Sequence, residues 1–301
     1  MPRFTYVNGR YLRPAEAVLP VEDRATQFAD AVYEVCEVRN GRLIDERLHL
    51  ARLARSLAEL RIAAPMAEAS LGAVMREIIR RNRVANGLVY LQISRGSAAR
   101  NHAFPDPPVA PSITVTAKSI DPLPGEARAE KGVSVITVPE TRWTRVDIKS
   151  TSLLPNVLAK QAARDAGAFE AWFVDGDGRV TEGSSSNAWI ITTAGDIVTP
   201  PADHGVLRGV TRTRIIELAK SSGRKIVERR FTVEEARVAR EAFLSSATTI
   251  VMPVVEIDGH AVGNGFPGSI ATELRRLYNQ RADRAPVWAG PMAALRSHSE
   301  T

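Results

Sequence analysis

Apolar residues recur along this chain at two spacings that change over in blocks. Residues 4–7, the pair Asn8-Gly9 and residues 10–12 predict a hairpin, because Asn-Gly supplies the two left-handed positions of a tight turn. Residues 32–38 alternate apolar and polar as a strand does, and Asn40-Gly41 predicts a second hairpin turn leading into Leu43-Ile44. The spacing then lengthens. Leu48, Leu50, Leu53, Leu57 and Leu60 fit one helical face, as do Leu71, Val74, Met75, Ile78 and Ile79. Strands are predicted over 88–94 and 112–117.

The run Ile120-Asp121-Pro122-Leu123-Pro124-Gly125 interrupts this pattern and reads as a linker. Beyond it a strand is predicted over 132–138, a helix over 153–166 closed by Gly167, and strands over 171–174 and 188–191 around Asp175-Gly176-Asp177-Gly178. A helix over 210–221, a strand over 225–228 and a short helix over 232–239 follow, the last capped by Thr232 with Glu235 three residues on. Strands over 242–245 and 250–257 and a helix over 270–281 complete the pattern. Strands and helices mix without strict alternation, and no internal repeat is present. The expected fold class is therefore α+β, with a small domain over 1–119, a linker over 120–128, a larger domain over 129–284 and a loose tail over 285–301.

Composition narrows the function classes. With 301 residues, 44% hydrophobic and 25% charged, the chain has the make-up of a globular protein with enough length for two cores. Its net charge of +6 would suit nucleic acid, but the arginines are scattered and many stand at helical spacing among acids, so a solvated surface is expected and no nucleic-acid partner. The single cysteine, Cys36, lies in an alternating strand and reads as a packed thiol; the five histidines have no metal-ligand spacing, so no metal is expected. Met1 is followed by a polar, strand-like start and no apolar run reaches membrane-spanning length, so a cytoplasmic protein is expected.

Chemistry concentrates between Asp147 and Asn187. Lys149 stands shortly before a predicted helix, and an amine becomes a strong nucleophile once its ammonium loses a proton. Some thirty residues later comes Val180-Thr181-Glu182-Gly183-Ser184-Ser185-Ser186-Asn187, a carboxylate followed by glycine and three hydroxyls, suited to holding a cofactor by one charge and several hydrogen bonds. The pair points to an aldehyde cofactor bound as a Schiff base, with a carboxylate tuning its ring nitrogen. Arg208-Gly209-Val210-Thr211 opens a predicted helix, whose free N–H groups suit a phosphate. Arg100 and His102 lie two apart after a predicted strand; in an extended segment they face the same way, as a carboxylate trap requires.

Asp147-Ile148-Lys149-Ser150, Asn156, Lys160-Gln161, residues 166–171 and residues 180–187 together resemble the fold-type IV pyridoxal-phosphate aminotransferases, most nearly the D-amino acid aminotransferases, over residues 4–281. Several separated motifs agree in order and spacing, which one motif alone would not establish. The resemblance implies a two-domain fold-type IV homodimer using pyridoxal 5′-phosphate. Lys149 would carry the Schiff base and move the substrate proton, and Glu182 would face the pyridine nitrogen. Arg52, Val210 and Thr211 would hold the phosphate, with Leu207 under the ring. The family threonine of the run before Pro253 falls on Ala247, so Thr248 or Ser246 takes its place. Tyr33 matches the substrate-side tyrosine, and Arg100 with His102 matches the loop that a neighbouring subunit supplies. Val35 and Glu37 share the Tyr33 face by period two and are expected to line the side-chain pocket. Arg142, Trp143 and Arg145 precede Lys149 and are expected to pack at the site or at a dimer edge.

The expected reaction is ping-pong transfer of an amino group from a D-amino acid, D-alanine foremost, to a 2-oxo acid. Branched-chain L-aminotransferases, (R)-amine aminotransferases and aminodeoxychorismate lyases share the scaffold and are the alternatives, with a basic non-catalytic binding module as the rival from another class. The Arg100–His102 pair argues against the branched-chain reading.

Overall fold

The computed structural model describes residues 3–286, and the chain divides into two compact units. The first comprises residues 3–122, Ile148–Ser152 and residues 283–286. It contains β1 (Thr5–Val7), β2 (Arg10–Leu12), the short helix α1 (Arg24–Phe28), β3 (Ala31–Arg39), β4 (Arg42–Leu43), α2 (Glu46–Glu59), α3 (Glu68–Asn82), β5 (Gly87–Ser94) and β6 (Ser112–Ser119). The six strands form one sheet in the order β2-β1-β6-β5-β3-β4, antiparallel throughout. Asn8 and Asn40 take φ +43° and +50°, each followed by a glycine at positive φ, so both hairpin turns form as their residues dictate.

The strict alternation of β3 buries Val32, Glu34, Cys36 and Val38 and leaves Tyr33, Val35 and Glu37 half-buried on the other face. The buried face shares a core with Leu50, Leu53 and Leu57 of α2 and Leu71, Met75 and Ile78 of α3. Cys36 is wholly enclosed there, and burial pushes its thiol well above the ordinary range, so it is inert packing.

The second unit comprises Leu123–Asp147 and Leu153–Ala282. It contains α4 (Leu123–Lys131), β7 (Val133–Pro139), α5 (Leu154–Asp165), β8 (Glu170–Val174), β9 (Arg179–Gly183), β10 (Asn187–Ile191), β11 (Ile197–Thr199), α6 (Val210–Ser221), β12 (Ile226–Glu228), β13 (Phe231–Thr232), α7 (Val233–Arg237), β14 (Glu241–Ser246), β15 (Ile250–Ile257), β16 (His260–Ala261) and α8 (Ser269–Arg281). Its sheet runs β12-β11-β10-β14-β15-β7-β8-β9-β13, with β16 paired to β15. The β15–β7, β7–β8 and β11–β12 pairs are parallel and the others antiparallel. Trp172, Val180, Ile190, Leu244 and Met252 build its core.

Three boundaries differ from the sequence expectation. The linker expected at 120–128 is mostly helix α4: Pro124 sits in its first turn, where no N–H is needed, and strong helix formers follow. Arg275 secures this helix through Glu126 at 2.8 Å. Ile148–Ser152 belongs to the first unit, since its backbone lies along β3: Tyr33 N–H donates to the Lys149 carbonyl at 3.0 Å, and Thr151 N–H to that of Ala31 at 3.0 Å. The tail expected from 285 begins with a buried Ala285, whose N–H reaches the Leu43 carbonyl at 2.9 Å and whose carbonyl accepts from Arg42 Nε at 2.6 Å. Residues 287–301 lie outside the described residues.

Candidate active site

The candidate residues fall into two sets, one in each unit. In the first, Lys149 is half-buried beside β3. Its backbone N–H donates to Ser56 Oγ at 3.2 Å, and its Nζ lies 4.2 Å from the centre of the Tyr33 ring. Tyr33 in turn stacks on Tyr90 with ring centres 5.7 Å apart, and Val35 pairs with Tyr90 across the sheet. Burial and then the neighbouring Tyr33 push the Tyr90 phenol up to about 12. Lysine, Tyr33 and Val35 thus share one face. Glu37, on the same face and also expected to line the side-chain pocket, is engaged by Arg39 at 2.5 and 2.9 Å.

Behind that face lies a feature the sequence did not signal by motif. Glu34 is buried and accepts from Arg52 Nε and Nη2, both at 2.8 Å, and bonds His49 Nδ1 at 2.7 Å. Burial alone would raise its carboxyl; the Arg52 charge and the hydrogen bonds of Arg52 and His49 outweigh it and hold the group at about 2. A charged residue on the apolar face of an alternating strand is the pattern break that could have revealed it.

Arg100 and His102 also belong to the first unit and are exposed. The Arg100 guanidinium lies 5.2 Å from the centre of the Phe28 ring, and the His102 ring lies 5.3 Å from it. Both side chains thus approach the Phe28 ring.

In the second unit, Glu182 lies next to the end of β9 and is buried. Arg142 Nη1 donates to its Oε1; Asn187 Nδ2 and the Leu207 N–H donate to its Oε2 at 3.0 and 3.1 Å. Arg142 also grips Glu140 and lies 4.4 Å from the Phe173 ring centre, so it packs against the candidate carboxylate. Arg145 pairs with Asp147 instead, and Trp143 is exposed. The three hydroxyls after Glu182, expected to serve a cofactor, turn to Glu170: Ser184 Oγ donates to it, as do Ser185 Oγ at 2.8 Å and Ser186 Oγ at 3.2 Å. A buried carboxylate needs donors, and this one takes them from the loop it stabilises. Asn156 completes the turn by donating to the Ser184 carbonyl at 2.8 Å.

Helix α6 begins at Val210 with Gly209 as its N-cap and no side-chain cap. Its first N–H groups have no partner within the helix. Thr211, in the first turn, is buried, and its Oγ1 has no hydrogen-bond partner among the described residues. A buried unpaired hydroxyl beside uncapped N–H groups fits a phosphate. Gly209 must stay small: a Cβ there would stand 2.1 Å from Asn187 Oδ1. On the β14–β15 turn, Ser246 Oγ lies 3.0 Å from Thr248 Oγ1 and 2.9 Å from Thr249 Oγ1, with Ile250 held at φ +61°, a strained value for a β-branched residue.

Fold and residues together define an aminotransferase scaffold. The family model for amino-transferase class IV matches residues 31–257, and the chain belongs to that family. It is 38% identical to the D-alanine aminotransferase of Bacillus licheniformis, over 89% of this chain and 93% of that protein. It is 39% identical to that of Staphylococcus epidermidis, over 91% and 96%. Among solved structures, the branched-chain amino acid aminotransferase of Escherichia coli superposes with TM-score 0.86 at 24% identity, covering 93% of this chain and 94% of that one, a likeness of fold. A hypothetical aminotransferase of Mycobacterium tuberculosis in its pyridoxal-phosphate-bound form superposes with TM-score 0.80 at 25% identity, covering 92% and 97%.

Proposed function

We propose that this protein moves amino groups between D-amino acids, D-alanine foremost, and 2-oxo acids, with pyridoxal 5′-phosphate bound through Lys149. It is a class IV aminotransferase, and its similarity to D-alanine aminotransferases along nine-tenths of the chain supports D-amino acid transamination. The observation that carries the substrate reading is the pairing of Arg100 and His102 over one ring, Phe28.

When bound, the cofactor supplies an electron-withdrawing system that stabilises negative charge at a substrate Cα. The chain's residues do the rest. Lys149 would hold the aldehyde in the resting enzyme, and its free Nζ would take the proton from the substrate Cα. Glu182, fixed by Arg142, Asn187 and the Leu207 N–H, would serve the ring nitrogen, and Leu207 would pack against the ring. Val210, Thr211 and Arg52 would hold the phosphate, with a hydroxyl from Thr248 or Ser246. The Thr211 hydroxyl, buried and unpaired, supports this assignment. Tyr33 and Val35 line the substrate, and Arg100 with His102 binds its carboxylate. In this reading the first unit is the family's small domain and the second its cofactor domain. The enzyme works in the cytoplasm as a homodimer, each copy lending its Arg100–His102 loop to the other.

The test is a coupled assay of purified protein on paired D- and L-amino acids with pyruvate and 2-oxoglutarate as acceptors. Turnover of D-alanine well above L-leucine and L-alanine is expected. A preference for L-leucine would move the protein to the branched-chain activity. Failure of borohydride to attach cofactor mass to Lys149 would remove the catalytic reading altogether.

A further inference from the structure

The connection from β5 to β6 carries Arg100 and His102 without regular secondary structure of its own, and its length exceeds ordinary connections. Such a loop would pay a large ordering cost each time a substrate bound unless something held it beforehand. What holds it is α1. The backbones of 22–24 and 96–98 run antiparallel: Arg24 N–H donates to the Gly96 carbonyl at 3.0 Å, Ala98 N–H to that of Glu22 at 3.3 Å, and Asp23 bridges to Ser97. Asp23, the N-cap of α1, accepts from Ser94 Oγ at 3.0 Å. Gly96, at φ +103°, lets the other end of the loop approach; a Cβ there would lie 2.1 Å from the Ala110 carbonyl oxygen.

The Arg24 side chain then reaches the tip. It is almost wholly buried, and Nη1 donates to the Asn101 carbonyl at 2.7 Å and the Ala103 carbonyl at 3.3 Å, while Nη2 reaches that of His102 at 3.4 Å. Its Nε donates to Asp30 at 2.7 Å, and Arg95 holds the same carboxylate at 2.7 and 2.9 Å. Asp30 is thereby kept below the usual carboxylate range: burial opposes this, and hydrogen bonds and charge from Arg95 and Arg24 prevail. One turn along α1, the Phe28 ring centre lies 4.7 Å from the Arg24 guanidinium, 5.2 Å from that of Arg100 and 5.3 Å from the His102 ring.

We propose that Arg24 is a positioning residue for substrate carboxylate recognition. It clamps three successive loop carbonyls so that Arg100 and His102 stand over Phe28 before substrate arrives, while Asp30 fixes its guanidinium. The assignment rests on the carboxylate-trap reading of Arg100 and His102. Only a planar fork serves four acceptors at once; a lysine ammonium at the same place is a point donor on a floppy stem.

The experiment compares wild-type holoenzyme with Arg24→Lys, Phe28→Leu and Arg100→Ala. It measures KM and kcat for D-alanine, the dissociation constant of propionate by calorimetry, and cofactor content by absorbance. Arg24→Lys is expected to raise the D-alanine KM and the propionate dissociation constant on the order of tenfold to a hundredfold, with kcat changed less and cofactor retained. Phe28→Leu should do the same to a smaller degree, and it decides the matter if Arg24→Lys fails to fold. Wild-type KM in Arg24→Lys beside a raised KM in Arg100→Ala overturns the positioning role and leaves the trap standing. Wild-type KM in both overturns the trap itself. Parallel loss of cofactor and of propionate binding in Arg24→Lys marks a merely structural residue and also refutes the proposal.

Discussion

Replacing Glu34 by glutamine keeps the side chain's shape and removes its charge. In the wild type the buried carboxylate accepts two bonds from Arg52 and one from His49. Glutamine offers one acceptor oxygen, turns an amide NH₂ toward donors and removes the negative charge that faces the Arg52 cation. Two routes give the cost. Breaking one partner of a buried ion pair costs about 3–5 kcal/mol. A carboxyl held at about 2 instead of 4.5 is stabilised in its charged form by something on the order of 3 kcal/mol. The native value lies below the unfolded one, so the unfolded chain takes the proton first. The stabilisation is whole above about pH 4.5 and drains away as pH falls toward about 2. At about pH 3.5, one unit below the unfolded value, on the order of 1 kcal/mol of it is gone. The assay is urea unfolding of the cofactor-free wild type and Glu34→Gln across this range. Wild type should exceed the variant by about 3 kcal/mol near neutrality, with the gap closing in acid because glutamine does not titrate. Equal stabilities near neutrality, or a gap that stays constant down to about pH 3.5, would refute the reasoning.

Other substitutions test the remaining parts. Thr211→Val removes a buried unpaired hydroxyl, so the cofactor-free protein should melt no lower, and up to about 1 kcal/mol of stability should be gained; cofactor titration should show affinity weakened about tenfold. Gly209→Ala drives a methyl group into Asn187, so urea unfolding should show a loss of about 1–3 kcal/mol, with cofactor binding weakened as Asn187 releases Glu182. Lys149→Ala should abolish the borohydride-trapped mass adduct and lower kcat by about 10²–10⁴-fold; an unchanged adduct would place the imine on another amine.

Much of this protein was legible along the chain. Both Asn-Gly hairpins, the alternation of β3, the leucine faces of α2 and α3 and the bounds of α6 follow from local residue chemistry, and local chemistry is what a sequence displays. The motifs around Lys149 and Glu182 were readable for the same reason: their residues cluster within short stretches. The short elements were not, since α1, β11, β13 and β16 are too brief to show a period. Nor were the partners. Nothing near Arg52 in sequence names Glu34 as its counter-ion, nothing near Glu182 announces Arg142, and nothing around Arg100 points back to Arg24. The serine run looked like a set of cofactor ligands, yet its hydroxyls satisfy Glu170. A buried charge takes whichever donors the fold brings within hydrogen-bond reach, and that depends on strands and helices meeting across long sequence separations. Residue identity therefore marked which groups of this protein are candidates for chemistry, whereas tertiary packing alone decided which of them are held still, and by what.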